Sequence, residues 1–215
     1  MAVDGVANFD ALYVTRRVSR VYGELAEGEI HTLVYLAALL SIYSGRPPSW
    51  WGYEFHRVTP AAPFSEAVSE AIGFDVQVGL LKQRHHALSI SRLGDRELEL
   101  WEALPLNARR APVLAASASA AIHLSLPVVG RSVQQEPQIK RATELSSERR
   151  LLTPLGLDAL REQFEAVAEV LASQDENFTA TAEASLLVVA VVWLEYLRTE
   201  FHAGDLGGSA EESAA

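Results

Sequence analysis

The stretch "LSISRLGDREL" (residues 88–98) decides how the fold is read. It closes the alternating run "HALSIS" (86–91), which has the period-two pattern of a strand. After Ser91 and Leu93-Gly94 the pattern turns helical, "DRELELWEAL" over 95–104. A hydroxyl residue just ahead of a helix caps its free N–H groups, and a glycine permits a tight turn out of a strand. A strand that runs straight into a capped helix is how a chain leaves the β-hairpin wing of a winged-helix unit. The phrase returns as "LLTPLGLDAL" (151–160), with Thr153 in the hydroxyl place and Gly156 in that of Gly94. The expected fold is therefore mainly helical, of α+β type. It contains one winged-helix module, or two in tandem, with a short hairpin wing and further C-terminal helices.

Upstream, Phe9, Leu12, Val14, Val18, Val21 and Leu25 recur at helical spacing over 4–26. "EIHTLVYLAALLSIY" (29–43) is apolar nearly all round, the mark of a helix central to a core or interface. Gly45 and Pro47-Pro48 stop it. "SWWGYEFHRV" (49–58) suits a short strand or ordered loop, and Ser65 is the expected cap of a helix over 66–72. Downstream, 111–129 is helical in its first part, while 130–145 is polar and interrupted. At Thr153-Pro154 a cap and a first-turn proline are expected. Leu157, Leu160, Phe164, Val167 and Leu171 then form one stripe, and 179–201 is the last helix. The expected division is 1–105 for the helical N-terminus and winged-helix module and 106–202 for a second helical module. Residues 203–215 are expected as a disordered tail.

The chain of 215 residues has no cysteine, which excludes disulfides, thiolate catalysis and cysteine zinc sites. Its net charge is −10, and the whole excess falls late. Residues 155–215 hold 2 basic and 12 acidic side chains, while the preceding residues balance at 16 of each. The start, "MAVDGVANFD", lacks the pattern of an export signal, and the longest apolar run, "SLLVVAVVWL" (185–194), is about half a membrane span. A cytoplasmic location with no membrane partner is expected.

The sequence carries no recognisable catalytic motif. There is no phosphate-binding loop, nucleophile elbow or HExxH, and the neighbours His85 and His86 cannot share a face. No catalytic residue, metal site or cofactor is expected. Two clusters remain. Lys82, Arg84, His85, His86, Arg92 and Arg96 fall in the segment expected to hold the third helix and the wing, with Asp95 the only acid between 80 and 96. These are the nucleic-acid candidates, through phosphate contacts. Trp50, Trp51, Tyr53 and Phe55, with Trp193 and Tyr196 in the last helix, are the candidate interface anchors.

Residues 31–81 also resemble a known family. Leu33, Val34, Tyr35 and Leu36 match an apolar helix of the "KLVYLL" type, and Tyr53 and Phe55 an aromatic strand. Pro63, Phe64 and Ser65 match a "GPYS" turn opening a helix, with Ala62 in place of its glycine. Gly79, Leu80 and Leu81 match a "GLL" end. This pattern resembles the small bacterial proteins of the Panacea (SocA-like) antitoxin group and the middle components of ABC-three-component defence systems. The resemblance implies a non-enzymatic adaptor of a bacterial complex, in antiphage defence or an ABC-ATPase/SMC-like assembly. Its partner would be a larger ATPase, nuclease or toxin, or a second copy. The alternative is a winged-helix DNA-binding regulator or antitoxin.

Overall fold

The computed structural model describes residues 4–58, 62–145, 150–153, 156–174 and 183–208. Helix α1 (Gly5–Tyr22) begins where Asp4 accepts from the N–H groups of Val6 at 2.8 Å and Ala7 at 3.3 Å. It ends at Gly23, whose φ of 86° a side-chain-bearing residue rarely adopts. After the two-residue strand β1 (Leu25–Ala26) comes α2 (Glu27–Tyr43). Every residue from Leu33 to Ile42 is buried, as an all-apolar circumference requires. A 3₁₀ turn over Pro48–Trp51 leads to the antiparallel pair β2 (His56–Val58) and β3 (Ala62–Phe64).

Helix α3 (Glu66–Gln77) is followed by the hairpin of β4 (Leu81–Arg84) and β5 (Ala87–Ile90), and then by α4 (Arg92–Glu102). β1 pairs with β5 as well, so the sheet order is β1-β5-β4. The Ser91 hydroxyl accepts from Gly94 N–H at 2.9 Å and donates to Gly79 O at 2.7 Å, capping α4 and tying it back to the end of α3. A Cβ on Gly94 would stand 2.2 Å from Leu80 O, so only glycine fits this exit.

The rest is helical: α5 (Pro105–Leu124), α6 (Leu126–Gln134), α7 (Pro137–Glu144), α8 (Leu157–Gln174) and α9 (Glu183–Gly208). Its core is continuous with that of the first part. One buried cluster runs from Ala7 to Leu197, and α5 lies against α1, α2 and α9. The boundary expected near residue 105 therefore separates two helices but not two cores. The five predicted stripe residues of α8 are all buried, and Phe164 stacks on Trp193 at 5.1 Å. Among the described residues no single helix is long and apolar enough to cross a membrane. α5 and α6 would be so only together, and they meet at 112°.

Several expectations change. α3 continues past residue 72 to Gln77. The stretch over 130–145 is not interrupted polar chain but parts of two short helices, because Pro127 and Pro137 occupy first turns, where a missing N–H costs nothing. α9 continues to Gly208 where a tail is expected, and 209–215 lie outside the described residues. A second wing is absent among the described residues: the second half holds no strand, and Arg150 makes only an isolated bridge to His56. Pro154 lies outside the described residues. A Cβ on Gly156 would lie 2.6 Å from the Gln138 side chain, whereas at Gly94 the obstacle is the Leu80 backbone.

Candidate partner-binding surface

The six basic candidates come together on the β4–β5 hairpin and the start of α4, and all are exposed. The register pairs Lys82 with Ser89 and Arg84 with Ala87. Leu81 and Leu88, on the opposite pleat, are buried, so Lys82 and Arg84 face away from the core. His85 and His86 form the two-residue turn, with His85 at a φ of 55°. Lys82, Arg84, Arg92 and Arg96 make no ion pair among the described residues. Nearby Asp95 is already engaged by Arg20 at 2.7 Å. β4 is also a sheet edge, where exposed charges discourage pairing with another chain.

Helix α3, beside this hairpin, has a different surface. Its half-buried and exposed positions include Glu66, Glu70, Phe74 and Gln77, with Val78 following, and the helix holds no lysine or arginine. Phe74 is 40% exposed and Val78 42%. The outer face of α4 adds Leu93 and Leu100, and Leu104 follows its end. Exposed acidic and apolar side chains of α3 thus lie beside the basic hairpin.

Of the aromatic candidates, Trp51, Phe55 and Trp193 are core residues and cannot anchor a partner. Trp193 packs on Phe164 and Phe55 on Tyr35, and Trp51 is held inward by a buried ion pair. Arg110 of α5 is paired through two nitrogens with Asp10 of α1 and donates to Trp51 O at 3.0 Å, with its guanidinium 3.9 Å from the Trp51 ring. The Tyr53 hydroxyl donates to Asp10 at 2.6 Å. Burial pushes the Asp10 carboxyl up, and Arg110 pulls it back. Trp50 is half-buried under the Arg46 guanidinium at 3.9 Å, while Tyr53 is partly buried and Tyr196 is 40% exposed. Neither Asp10 nor Arg110 stands out in the sequence, since their pairing spans 100 residues. The lone acid within the apolar pattern of α1 is the only signal that could have pointed to it.

Other buried polar groups close helices against each other. His31 Nδ1 accepts from Ser65 N–H at 3.3 Å, and its Nε2 lies 3.5 Å from Glu27. His31 holds the Glu27 carboxyl below its usual range. Ser65 sits at the cap position of α3, as expected, but its hydroxyl is buried and makes no cap bond. Serine, histidine and acid come together here, yet Ser65 is wholly buried and His31 nearly so, which closes the group to substrate. Glu136 caps α7 through Gln138 N–H at 3.1 Å and Ile139 N–H at 3.0 Å, and accepts from the Tyr35 hydroxyl at 3.1 Å. Burial pushes its carboxyl up to about 7. A cavity of about 570 Å³ lies between the aromatic turn and the start of α8, where Arg150 pairs with Glu54 at 2.7 Å. No group of three histidine or carboxylate side chains among the described residues is placed to hold a metal ion.

No family model matches this chain, and no curated protein or solved structure matches it.

Proposed function

We propose that this protein is a non-enzymatic interaction subunit built on a winged-helix unit, and that its partner is a protein. The winged-helix reading is supported by connectivity. Helix α1, strand β1, helix α2, helix α3 and the β4–β5 hairpin follow in order, with the 3₁₀ turn and the β2–β3 pair inserted between α2 and α3, and β1 lies beside β5, the second hairpin strand. In such a unit the third helix enters the DNA major groove. Here that helix is α3, which carries Glu66 and Glu70 and no lysine or arginine. This is the observation that carries the reading: the element suited to DNA would meet phosphate with the wrong charge. Phe74, Val78, Leu93 and Leu100 instead supply the apolar surface that protein partners bury. A place in an antiphage or ABC-ATPase/SMC-like bacterial assembly rests on the resemblance over residues 31–81.

The second reading is a DNA-binding regulator or antitoxin, favoured by Lys82, Arg84, Arg92 and Arg96, which are exposed and make no ion pair among the described residues. The two readings separate in one titration of random duplex DNA at low salt. The interaction reading expects no binding, and expects Leu100→Glu or Phe74→Glu to release the partner that co-purifies from the native host. Tight DNA binding that weakens steeply with salt, and is lost in Lys82→Ala/Arg84→Ala, would overturn it.

A further inference from the structure

We propose that the exposed face of α4 is the seam of a two-fold homodimer, in which two α4 helices lie antiparallel across it. The proposal rests on the interaction reading and names a second copy of this chain as one partner. At about 100° per residue, Leu98, Gly94 and Trp101 turn inward, and Leu93 and Leu100 fall together on the outside. Leu93 is 49% exposed, Leu100 68%, and Leu104, just past the helix end, 52%. No described element covers them. Charges of both signs flank the leucines: Arg92, Arg96 and Glu99 lie along one border, and Glu97 along the other. None of these four makes an ion pair within the chain among the described residues, whereas Asp95 and Glu102 on the inner face are both held by arginines of α1.

The occupant follows from the order of these residues. In an antiparallel pair, like borders face each other, so the border with Arg92, Arg96 and Glu99 meets its own copy. When Leu93 of one chain sits between Leu100 and Leu104 of the other, Arg96 comes opposite Glu99 of the second copy, and Arg92 opposite its Ala103. The two-fold axis repeats each contact. Leucines meet leucines and each Arg96 meets a Glu99, which is the self-complementarity an isologous interface requires. A face meant for a basic or an acidic partner would carry one sign.

Sedimentation velocity on the purified chain of 215 residues, without other proteins, tests the seam. A concentration-dependent dimer is expected. Leu100→Glu should yield a monomer with the wild-type far-UV circular dichroism, because Leu100 is 68% exposed in the single chain, and its melting temperature should lose the concentration dependence of the dimer. Arg96→Glu alone should weaken the dimer roughly tenfold or more by placing like charges opposite. The exchange Arg96→Glu/Glu99→Arg should restore it. A wild-type monomer up to about 100 μM, well above the Kd of common obligate pairs, would overturn the seam. A dimer untouched by Leu100→Glu, or an exchange that fails to recover what Arg96→Glu loses, would do so as well. A monomer that still binds a protein partner and ignores DNA removes only the seam, whereas tight DNA binding removes the interaction reading.

Discussion

Replacing Asp75 by asparagine should change how stability depends on pH. Asp75 lies on α3, wholly buried, and Asn8 Nδ2 of α1 donates to its Oδ1 at 2.7 Å. The second oxygen of each, Asp75 Oδ2 and Asn8 Oδ1, has no hydrogen-bond partner among the described residues. A proton on Asp75 supplies the missing donor, so acid and amide can close a two-bond ring. An ionised Asp75 leaves two buried acceptors unsatisfied. Burial pushes its carboxyl from 3.8 up to about 7, against the opposing pull of Asn8. The charged groups of neighbouring elements are turned elsewhere. Glu27 engages Ser69 at 2.7 Å, Asp4 caps α1, and Lys82 and Arg84 face solvent.

Because the folded value is raised, this stabilisation is full at low pH and is lost as pH climbs towards 7. Within that window each pH unit removes about 1.4 kcal/mol. Asparagine at 75 keeps both bonds of the ring at every pH. The stability of Asp75→Asn relative to wild type should therefore rise by about 2 kcal/mol between pH 5 and pH 6.5. Urea unfolding followed by far-UV circular dichroism at four pH values measures this. Glu136 adds a slope of the same sign to both proteins, so the difference between them isolates Asp75. Parallel stability curves for the two proteins would refute the argument.

Other substitutions test the packing. Arg110→Ala leaves Asp10 charged and buried without its partner, and should cost about 3–5 kcal/mol in chemical denaturation. Ser125 joins α5 to α6 at φ 79° and ψ 149°, a region that glycine alone visits freely. Ser125→Gly should accordingly stabilise by about 1 kcal/mol and raise the melting temperature. Gly94→Ala drives a methyl into Leu80 O and should destabilise by more than about 2 kcal/mol, while Gly28→Ala, with open space around it, changes stability little.

Local chemistry made much of the fold legible. Ser91 with Gly94 marked the hairpin exit, and the stripe from Leu157 to Leu171 marked α8, because spacing and capping act over a few residues. The strand β4 was not readable, since Lys82, Gln83 and Arg84 show no apolar alternation and pair only because β5 lies beside them. α6 and α7 were obscured by prolines that read as interruptions until their place in the first turn is seen. Of the candidate surface, the basic hairpin was legible by charge alone. Burial of Trp51, Phe55 and Trp193 was not, because it depends on Arg110, Gln163 and neighbours far along the chain. Trp193 Nε1 donates to Gln163 at 3.1 Å, a bond no local pattern announces.

The position of α5 bears on how this chain matures. The contacts that bury one side of α1 and α2 come from residues 105–124, so a nascent chain that has delivered only its first hundred residues still presents that apolar surface. The Asp10 carboxylate likewise waits for Arg110. Synthesis proceeds at about 5–20 residues per second. The first half therefore passes several seconds on the ribosome as an unfinished core, the interval in which a chaperone or an early-binding partner has most to grip.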